Sequence, residues 1–398
     1  MVYLIFCEFI RAGLHLYKLP FELTICKNVL SSQRAIARNL IFIDFVRGFA
    51  VETNEHVNGA CIAFSGTLAH PLIGIGSGVK SPTVVARERR RKIKKIRIGT
   101  RGSDLALVQA NWVSDRLKNL YPDMSVEVIS IRTRGDRMQN ISLVEIGGKG
   151  IFVKEIEEAL LRGDIDIAVH SMKDVPVDLP DGLMIGAIPE REDPRDVLIS
   201  REGAKMDGLS KGARLGTGSL RRGMQIKSLM PDIEIVPVRG NIDTRIKKIV
   251  TENLDGIIIA AAGMNRMGRS EEITQYIPIE VMMSSAGQGA LGIELREGDR
   301  ETGDLISPLN HPDTVVEISA ERAFLRRLGG GCQVPIAGIA RKHGDSLVIK
   351  GLVGSIDGKV MIMDEIRGNS GDCEDMGNTL AENILSSGGR AVLDEIYK

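Results

Sequence analysis

No run of 18 apolar residues occurs in this 398-residue sequence. The apolar patches at 2–6, 41–45 and 72–75 are short and broken by charge or glycine, which excludes a membrane-spanning helix. Cysteine is scarce. Cys7, Cys26, Cys61, Cys332 and Cys373 form no C-x-x-C pair and no even spacing, so neither a structural zinc site nor a disulfide framework is expected, and a reduced, cytoplasmic setting fits best. Net charge is also absent, with 52 basic and 52 acidic residues, but the balance is uneven. Positions 1–95 hold 14 Lys or Arg against 6 acids, which leaves 38 against 46 in 96–398. A main body acidic by eight disfavours general nucleic-acid binding, and any anion site must be built from arginines gathered locally.

Nucleotide signatures are missing as well. There is no G-x-x-x-x-G-K-[ST] loop and no strand-borne G-x-G-x-x-G followed by a ribose-binding acid. The run Gly147-Gly148-Lys149-Gly150 is too short for a phosphate loop and reads as a lid ahead of Phe152, with Lys149 as an anion contact. Length and 43% hydrophobic content suffice for two or three globular domains. Residues 1–94 read as a poorly ordered extension: upstream sequence outside the working protein, a processed leader, or an accessory segment.

From Ile96 onward the pattern alternates strands and helices. A strand at 96–99, a helix capped by Ser103 and running to Leu120, a strand at 126–131, a helix at 152–161 and a strand at 165–169 form a βαβ series, implying a parallel sheet with ligand loops at its carboxyl end. The same grammar resumes after the polar segment 189–194, with strands at 197–200, 213–216, 233–238 and 256–261 and helices at 219–229 and 242–250. Beyond Asp313 come a helix at 314–328, a Gly-rich turn, strands at 336–341, 346–353 and 359–366, and a helix at 375–385. The expected fold is α/β: two α/β domains around a hinge and a small C-terminal α+β domain. The boundaries fall at 95–192 plus about 288–309, at 193–287, and at 312–398.

The chemistry-bearing residues lie on the loops of this frame. Arg101 sits at a strand-to-helix turn, Arg221 and Arg222 occupy the first turn of a helix capped by Ser219, and Arg239 and Arg245 flank another helix start. Cations are disfavoured at helix N-termini, so their repetition there points to a bound carboxylate or phosphate. Each one alone could be a surface ion pair. Asp174 ends an apolar strand beside Lys173 and can stabilise positive charge on an N–H-rich substrate, or simply pair with a neighbouring cation. Cys332, in Gly329-Gly330-Gly331-Cys332-Gln333-Val334-Pro335, stands on an open turn that a ligand could approach closely.

The runs IRIGTRGSDLALVQA, GGKGIFVKEIE, DIAVHSMKDVP, EREDPRDV, GTGSLRR, VRGNIDTR, AAGMNRMG, AGQGALGIE, SAERAFLRRLGGGCQVPI and LVGSIDGK, in this order from about residue 95 onward, resemble the porphobilinogen deaminase (hydroxymethylbilane synthase) family. The resemblance implies two domains of periplasmic-binding-protein type and a monomer. It also implies a dipyrromethane primer joined by a thioether to Cys332, and stepwise condensation of four porphobilinogen molecules with loss of ammonia. Asp174 would be catalytic. Lys173, Asp174, Thr217, Ser219, Arg221, Arg222, Arg245 and Gln288 would hold the primer, while Arg101, Ser103, Lys149, Phe152, Arg239, Arg245 and Arg266 would face substrate or growing chain. No metal, nucleic acid or membrane partner is implied. Asp104, Gly218 and Glu145 depart from the family's usual pattern. A non-catalytic anion binder of the same architecture is the alternative; it would need neither Cys332 nor Asp174.

Overall fold

The computed structural model describes residues 94–137, 150, 152–331 and 334–397. The expected N-terminal extension, apart from Lys94, therefore lies outside the described residues, as do Lys149 and Cys332.

The chain enters through β1 (Lys95–Arg101), in which Ile96 and Ile98 are buried. Ser103 then occupies the N-cap of α1 (Asp104–Leu120): its Oγ accepts from the Ala106 N–H at 3.4 Å, and Asp104 in the first turn suits the positive end of the helix dipole. Ala110, Val113 and Leu117, at helical spacing, are buried against the β1 side of the sheet. β2 (Ser125–Ile131), α2 (Lys154–Arg162), β3 (Ile167–Ser171) and β4 (Leu183–Ala187) follow. α2 stops at Gly163, which takes the left-handed conformation (φ 75°) and returns its N–H to Ala159 and Leu160 carbonyls.

A second series holds β5 (Asp196–Ser200), β6 (Arg214–Gly216), α3 (Leu220–Leu229), β7 (Glu234–Val236), α4 (Ile242–Thr251), β8 (Gly256–Ala260), α5 (Ala261–Arg266) and β9 (Gln275–Ile277). The chain then returns to the first sheet as β10 (Leu291–Arg296). The two sheets have matching orders, β2-β1-β3-β10-β4 and β7-β6-β8-β5-β9, although the sequence carries no visible repeat.

The expectation of parallel sheets needs correction. β1 is parallel to β2 and β3, and β6 to β7 and β8, but β10 runs antiparallel to β3 and β4, and β5 antiparallel to β8 and β9. The reason lies in the two crossings. Each delivers the chain at the carboxyl end of the parallel strands, so the strand that follows must run the opposite way. Asp196 begins β5 opposite Ala260, the last residue of β8, and Leu291 begins β10 opposite Ser171, the last residue of β3. Both crossings therefore lie beside the loops that follow β3 and β8. β4, β9 and β10 were not anticipated as strands.

After α6 (Arg300–Ile306), the C-terminal part comprises α7 (Pro312–Arg327), the antiparallel sheet β11 (Ile336–His343), β12 (Ser346–Gly354) and β13 (Met361–Asn369), and helices α8 (Cys373–Ile384) and α9 (Arg390–Tyr397). Phe324, Ile349 and Leu380 anchor its core, each fully buried. Trimming the Phe324 ring would cost on the order of 3–5 kcal/mol.

α7 also clasps both crossings. Buried Glu321 accepts from Arg191 at 2.6 and 3.0 Å, from the Gly287 N–H at 2.6 Å and from the Ala340 N–H at 2.8 Å. One carboxylate thus ties the first crossing, the second crossing and β11 to α7. Arg322 adds bonds to the carbonyls of Pro176 (2.8 Å) and Val177 (2.9 Å), just beyond Asp174.

Candidate active site

β3 ends at Ser171 and passes into a single 3₁₀ turn, Met172–Asp174, closed by the Val175 N–H on the Met172 carbonyl. The second crossing packs directly on this turn. At Gly287 (φ 75°) an added Cβ would lie 2.9 Å from the Lys173 nitrogen, so only glycine lets the two backbones approach this closely. Lys173 and Asp174 are half-buried here.

From the second sheet, the β6–α3 and β7–α4 loops supply the cations. Burial lowers the proton affinity of the Lys173 ammonium; Asp174 opposes this, and Arg222, Asp196 and Arg221 are also felt. The Arg245 guanidinium is lowered by burial to about 10, with Arg222 and Arg239 adding repulsion and Asp174 countering it. The structure thus brings Lys173, Asp174, Arg222, Arg239 and Arg245, taken from both sheets, into one electrostatic field.

Arg221 and Arg222 are deeper than a ligand-facing reading alone would suggest. Both guanidiniums are buried and converge on Asp196, which is fully enclosed. Arg221 Nη1 reaches Asp196 Oδ2 at 2.6 Å, and Arg222 donates to Oδ1 through Nη2 at 2.8 Å and Nε at 3.0 Å. Burial alone would raise the Asp196 carboxyl, but the two arginines outweigh it and hold the group well below the usual carboxylate range. Gln288 joins the same network, donating to the Pro194 carbonyl at 2.7 Å and to Asp196 Oδ1 at 2.9 Å. Asp196 was not singled out from the sequence. Its signal was an acid heading an otherwise apolar strand, in DVLIS, where an unpaired charge could not be tolerated.

Ser219 does sit at the N-cap of α3, but its hydroxyl makes no capping bond, which corrects the expectation that it caps the helix. Instead, buried Thr217 accepts the Ser219 N–H through Oγ1 at 3.3 Å. Ser103, by contrast, uses its hydroxyl on α1.

Arg101 lies over the Phe152 ring, 4.2 Å from its centroid, in cation–π contact. Phe152 precedes α2, which begins two residues later than expected, and its ring also packs against Gly135. Arg266 ends α5 and donates to the Gly289 carbonyl at 2.7 Å, while its neighbour Asn265 donates to Glu192 at 3.0 Å, so both crossings are held from the second sheet.

Arg245 and Arg266 carry the test of ligand chemistry. Each is half-buried, its guanidinium lowered by burial to about 10, and each donates to a backbone carbonyl: Arg245 Nε to Gly240 at 2.8 Å, Arg266 to Gly289. Among the described residues neither forms an ion pair. Two desolvated cations without an ion pair among the described residues, offset only by the fields of Asp174 and Glu192, fit a ligand rich in carboxylates.

The turn leading to Cys332 is described as far as Gly331. Gly329 (φ 68°) ends α7 with its N–H on the Arg326 carbonyl, and Gly330 is wedged where a Cβ would meet Ile336 at 2.4 Å. A Cβ at Gly329 or at Gly331 would meet nothing within 4 Å. Gly329 thus serves the fold through its left-handed backbone and Gly330 through its close packing, demands that Gly331 does not meet.

A family model described as porphobilinogen deaminase, dipyromethane cofactor binding domain, matches residues 96–304, and one described as porphobilinogen deaminase, C-terminal domain, matches 315–386. The chain belongs to the porphobilinogen deaminase family. It is 52% identical over 305 residues to the porphobilinogen deaminase of Geobacter metallireducens, covering 77% of this chain and 96% of that one. It is likewise 52% identical over 301 residues to that of Syntrophus aciditrophicus, covering 76% and 98%. Among solved structures, the methionine binding protein MetQ aligns with a TM-score of 0.34 at 13% identity over 54% of this chain and 88% of its own, too distant to bear on function.

Proposed function

We propose that this chain is a working porphobilinogen deaminase. It condenses four porphobilinogen molecules head to tail, with loss of ammonia, on a dipyrromethane primer held by a thioether to Cys332, and releases linear hydroxymethylbilane by hydrolysis. The observation that carries this reading is the convergence of one carboxylate, Asp174, with Lys173, Arg239 and Arg245 beside the two crossings. A carboxylate-bearing pyrrole chain needs many cations for its acetates and propionates, and one acidic acceptor for its ring nitrogens.

The primer, when bound, would anchor the growing chain and offer a terminal pyrrole carbon as nucleophile. The remaining work falls to this chain's residues. Lys173, Ser219, Arg245 and Thr217 hold primer carboxylates, with Arg221, Arg222 and Gln288 fixing the floor on which these contacts rest. Arg101 on its Phe152 platform, Arg239 and Arg266 receive substrate carboxylates, with Ser103 holding the Arg101 turn and Lys149 approaching from the lid. Asp174 accepts the pyrrole N–H and stabilises the positive charge that develops there as ammonia departs and the next ring attacks. Fixed charges in such positions are worth about 3 kcal/mol, or roughly a hundredfold or more in rate.

As part of the same proposal, functional domains divide at 95–192 plus 288–309, 193–287 and 312–398, and the enzyme acts as a cytoplasmic monomer. The division is supported by the chain leaving one sheet after β4 and returning to it at β10. The test is turnover. Purified protein supplied with porphobilinogen should release ammonia and hydroxymethylbilane, and Asp174→Ala should retain primer while turning over at least a hundredfold more slowly. Near-normal turnover in that variant would remove Asp174 from the chemistry.

A further inference from the structure

Beneath the candidate site, in the core of the first sheet, three titratable side chains from three elements meet in the interior. Glu157 of α2, His170 of β3 and Glu294 of β10 are 6, 5 and 1% exposed. His170 Nε2 lies 2.9 Å from Glu294 Oε2. The other Glu294 oxygen, Oε1, and Glu157 Oε1 are buried and have no hydrogen-bond partner among the described residues. A buried carboxylate oxygen without a donor is costly, and two carboxylates near one another are costlier. A proton on one of the two carboxyls removes the repulsion between them and leaves that group neutral, which is the cheaper state for an unpartnered buried carboxyl.

We propose that Glu157, His170 and Glu294 form a buried proton-holding site that positions the Asp174 turn, one carboxyl of the pair remaining neutral while α2 is docked against β3 and β10. The location gives this proton leverage on catalysis. α2 begins just beyond Phe152, the platform of Arg101, and β3 runs from His170 into Lys173 and Asp174 within four residues. Loss of the proton to bulk water would place two like charges between the elements that carry these two halves of the site.

Among the described residues, no charge around Glu157 is in a hydrogen bond or ion pair with it. On β1, Arg97 is committed to Asp166 at 2.7 Å, Lys95 to Glu127 at 2.7 Å, and Arg101 lies over Phe152. On β10, Arg296 donates to the carbonyls of Leu160 and Ile165 and to Asp299. On α2 itself, Glu155 Oε1 accepts from the Arg134 N–H, and Glu158 adds only repulsion. From α7, Arg322 feels Glu294 but spends its donors on backbone carbonyls. Consistent with this, burial, reinforced by Glu294, pushes the Glu157 carboxyl up to about 7, against a smaller opposing effect of His170.

The test is an infrared pH titration of the full-length, primer-loaded protein with ¹³C-labelled glutamate carboxyls. The expected result is a protonated-carboxyl band that persists to about pH 7, fades above it, and is absent from Glu157→Gln. Turnover of the wild type should show an inflection in that range which the variant lacks. That second arm rests on the function proposed above, whereas the infrared band does not. Absence of a titrating band in the wild type, or its survival in Glu157→Gln, would overturn the proposal. Should Glu157→Gln fail to fold, Glu294→Gln serves instead, and a band unchanged in it would be equally fatal.

Discussion

Replacing Asp196 with Asn probes the electrostatic floor of the site most severely. The carboxylate is fully enclosed, and its Oδ1 accepts from Arg222 twice, at 2.8 and 3.0 Å, from Gln288 at 2.9 Å and from Arg221 Nη2 at 3.3 Å, while Oδ2 accepts from Arg221 Nη1 at 2.6 Å. An Asn of the same shape keeps one acceptor but turns an NH₂ toward Arg221 Nη1, a donor facing a donor. Two buried guanidiniums then lose their only carboxylate among the described residues. Removing one partner of a buried ion pair costs on the order of 3–5 kcal/mol, most of it from the charge left behind. Urea denaturation followed by circular dichroism should therefore show Asp196→Asn destabilised by about that amount. Adding Arg222→Gln to it should cost at least about 1 kcal/mol less than the sum of the single changes, because the stranded charge is removed. The deficit should not vary between pH 5 and 9: a carboxyl depressed on folding contributes stability that is full above its unfolded value and fades only as pH falls toward the folded one. A loss below about 1 kcal/mol for Asp196→Asn, or strict additivity in the pair, would refute the reasoning.

Glu157 gives the opposite sign. Its carboxyl is raised on folding from 4.5 to about 7, so the stability it contributes is full at acid pH and falls as pH rises through that window, by about 3 kcal/mol at 1.36 kcal/mol per pH unit. Stability measured from pH 5 to 8 should decline more steeply in the wild type than in Glu157→Gln, and parallel curves would contradict this. Arg245→Ala should raise the KM for porphobilinogen or lower primer occupancy at least tenfold with fold retained, since among the described residues its guanidinium forms no ion pair whose partner would be left buried; unchanged kinetics and loading would exclude it from binding. Phe152→Leu removes the ring beneath Arg101, a contact worth about 0.5–1 kcal/mol. The expected rise in KM is two- to fivefold, and no change would show that Arg101 holds its place without the ring.

Much of the frame was legible in the sequence because its signals are local. Ser103 ahead of Asp104 and an apolar stripe at helical spacing mark α1 almost to the residue, and the strands of the C-terminal sheet read off their β-branched runs. Strand direction was not legible. Nothing within LGIELR says that β10 arrives from another sheet at the carboxyl end of β3 and must run against it. The site divides along the same line. Residue types and loop positions picked out Lys173, Asp174, Arg239 and Arg245, but not their partners, which arise from contacts across long separations. Asp196 reaches Arg221 and Arg222 across a sheet, Glu321 gathers two crossings at once, and Glu157, His170 and Glu294 meet only after three elements pack. In each case the meaning of the missed residue depends on what folds over it.

The central claim is that Cys332 carries a covalent dipyrromethane primer through every turnover. Intact-mass spectrometry of the purified protein measures this directly. The account predicts an adduct of dipyrromethane size that localises to Cys332 on peptide mapping and is absent from Cys332→Ser. An active protein with an unmodified thiol at Cys332 would contradict it.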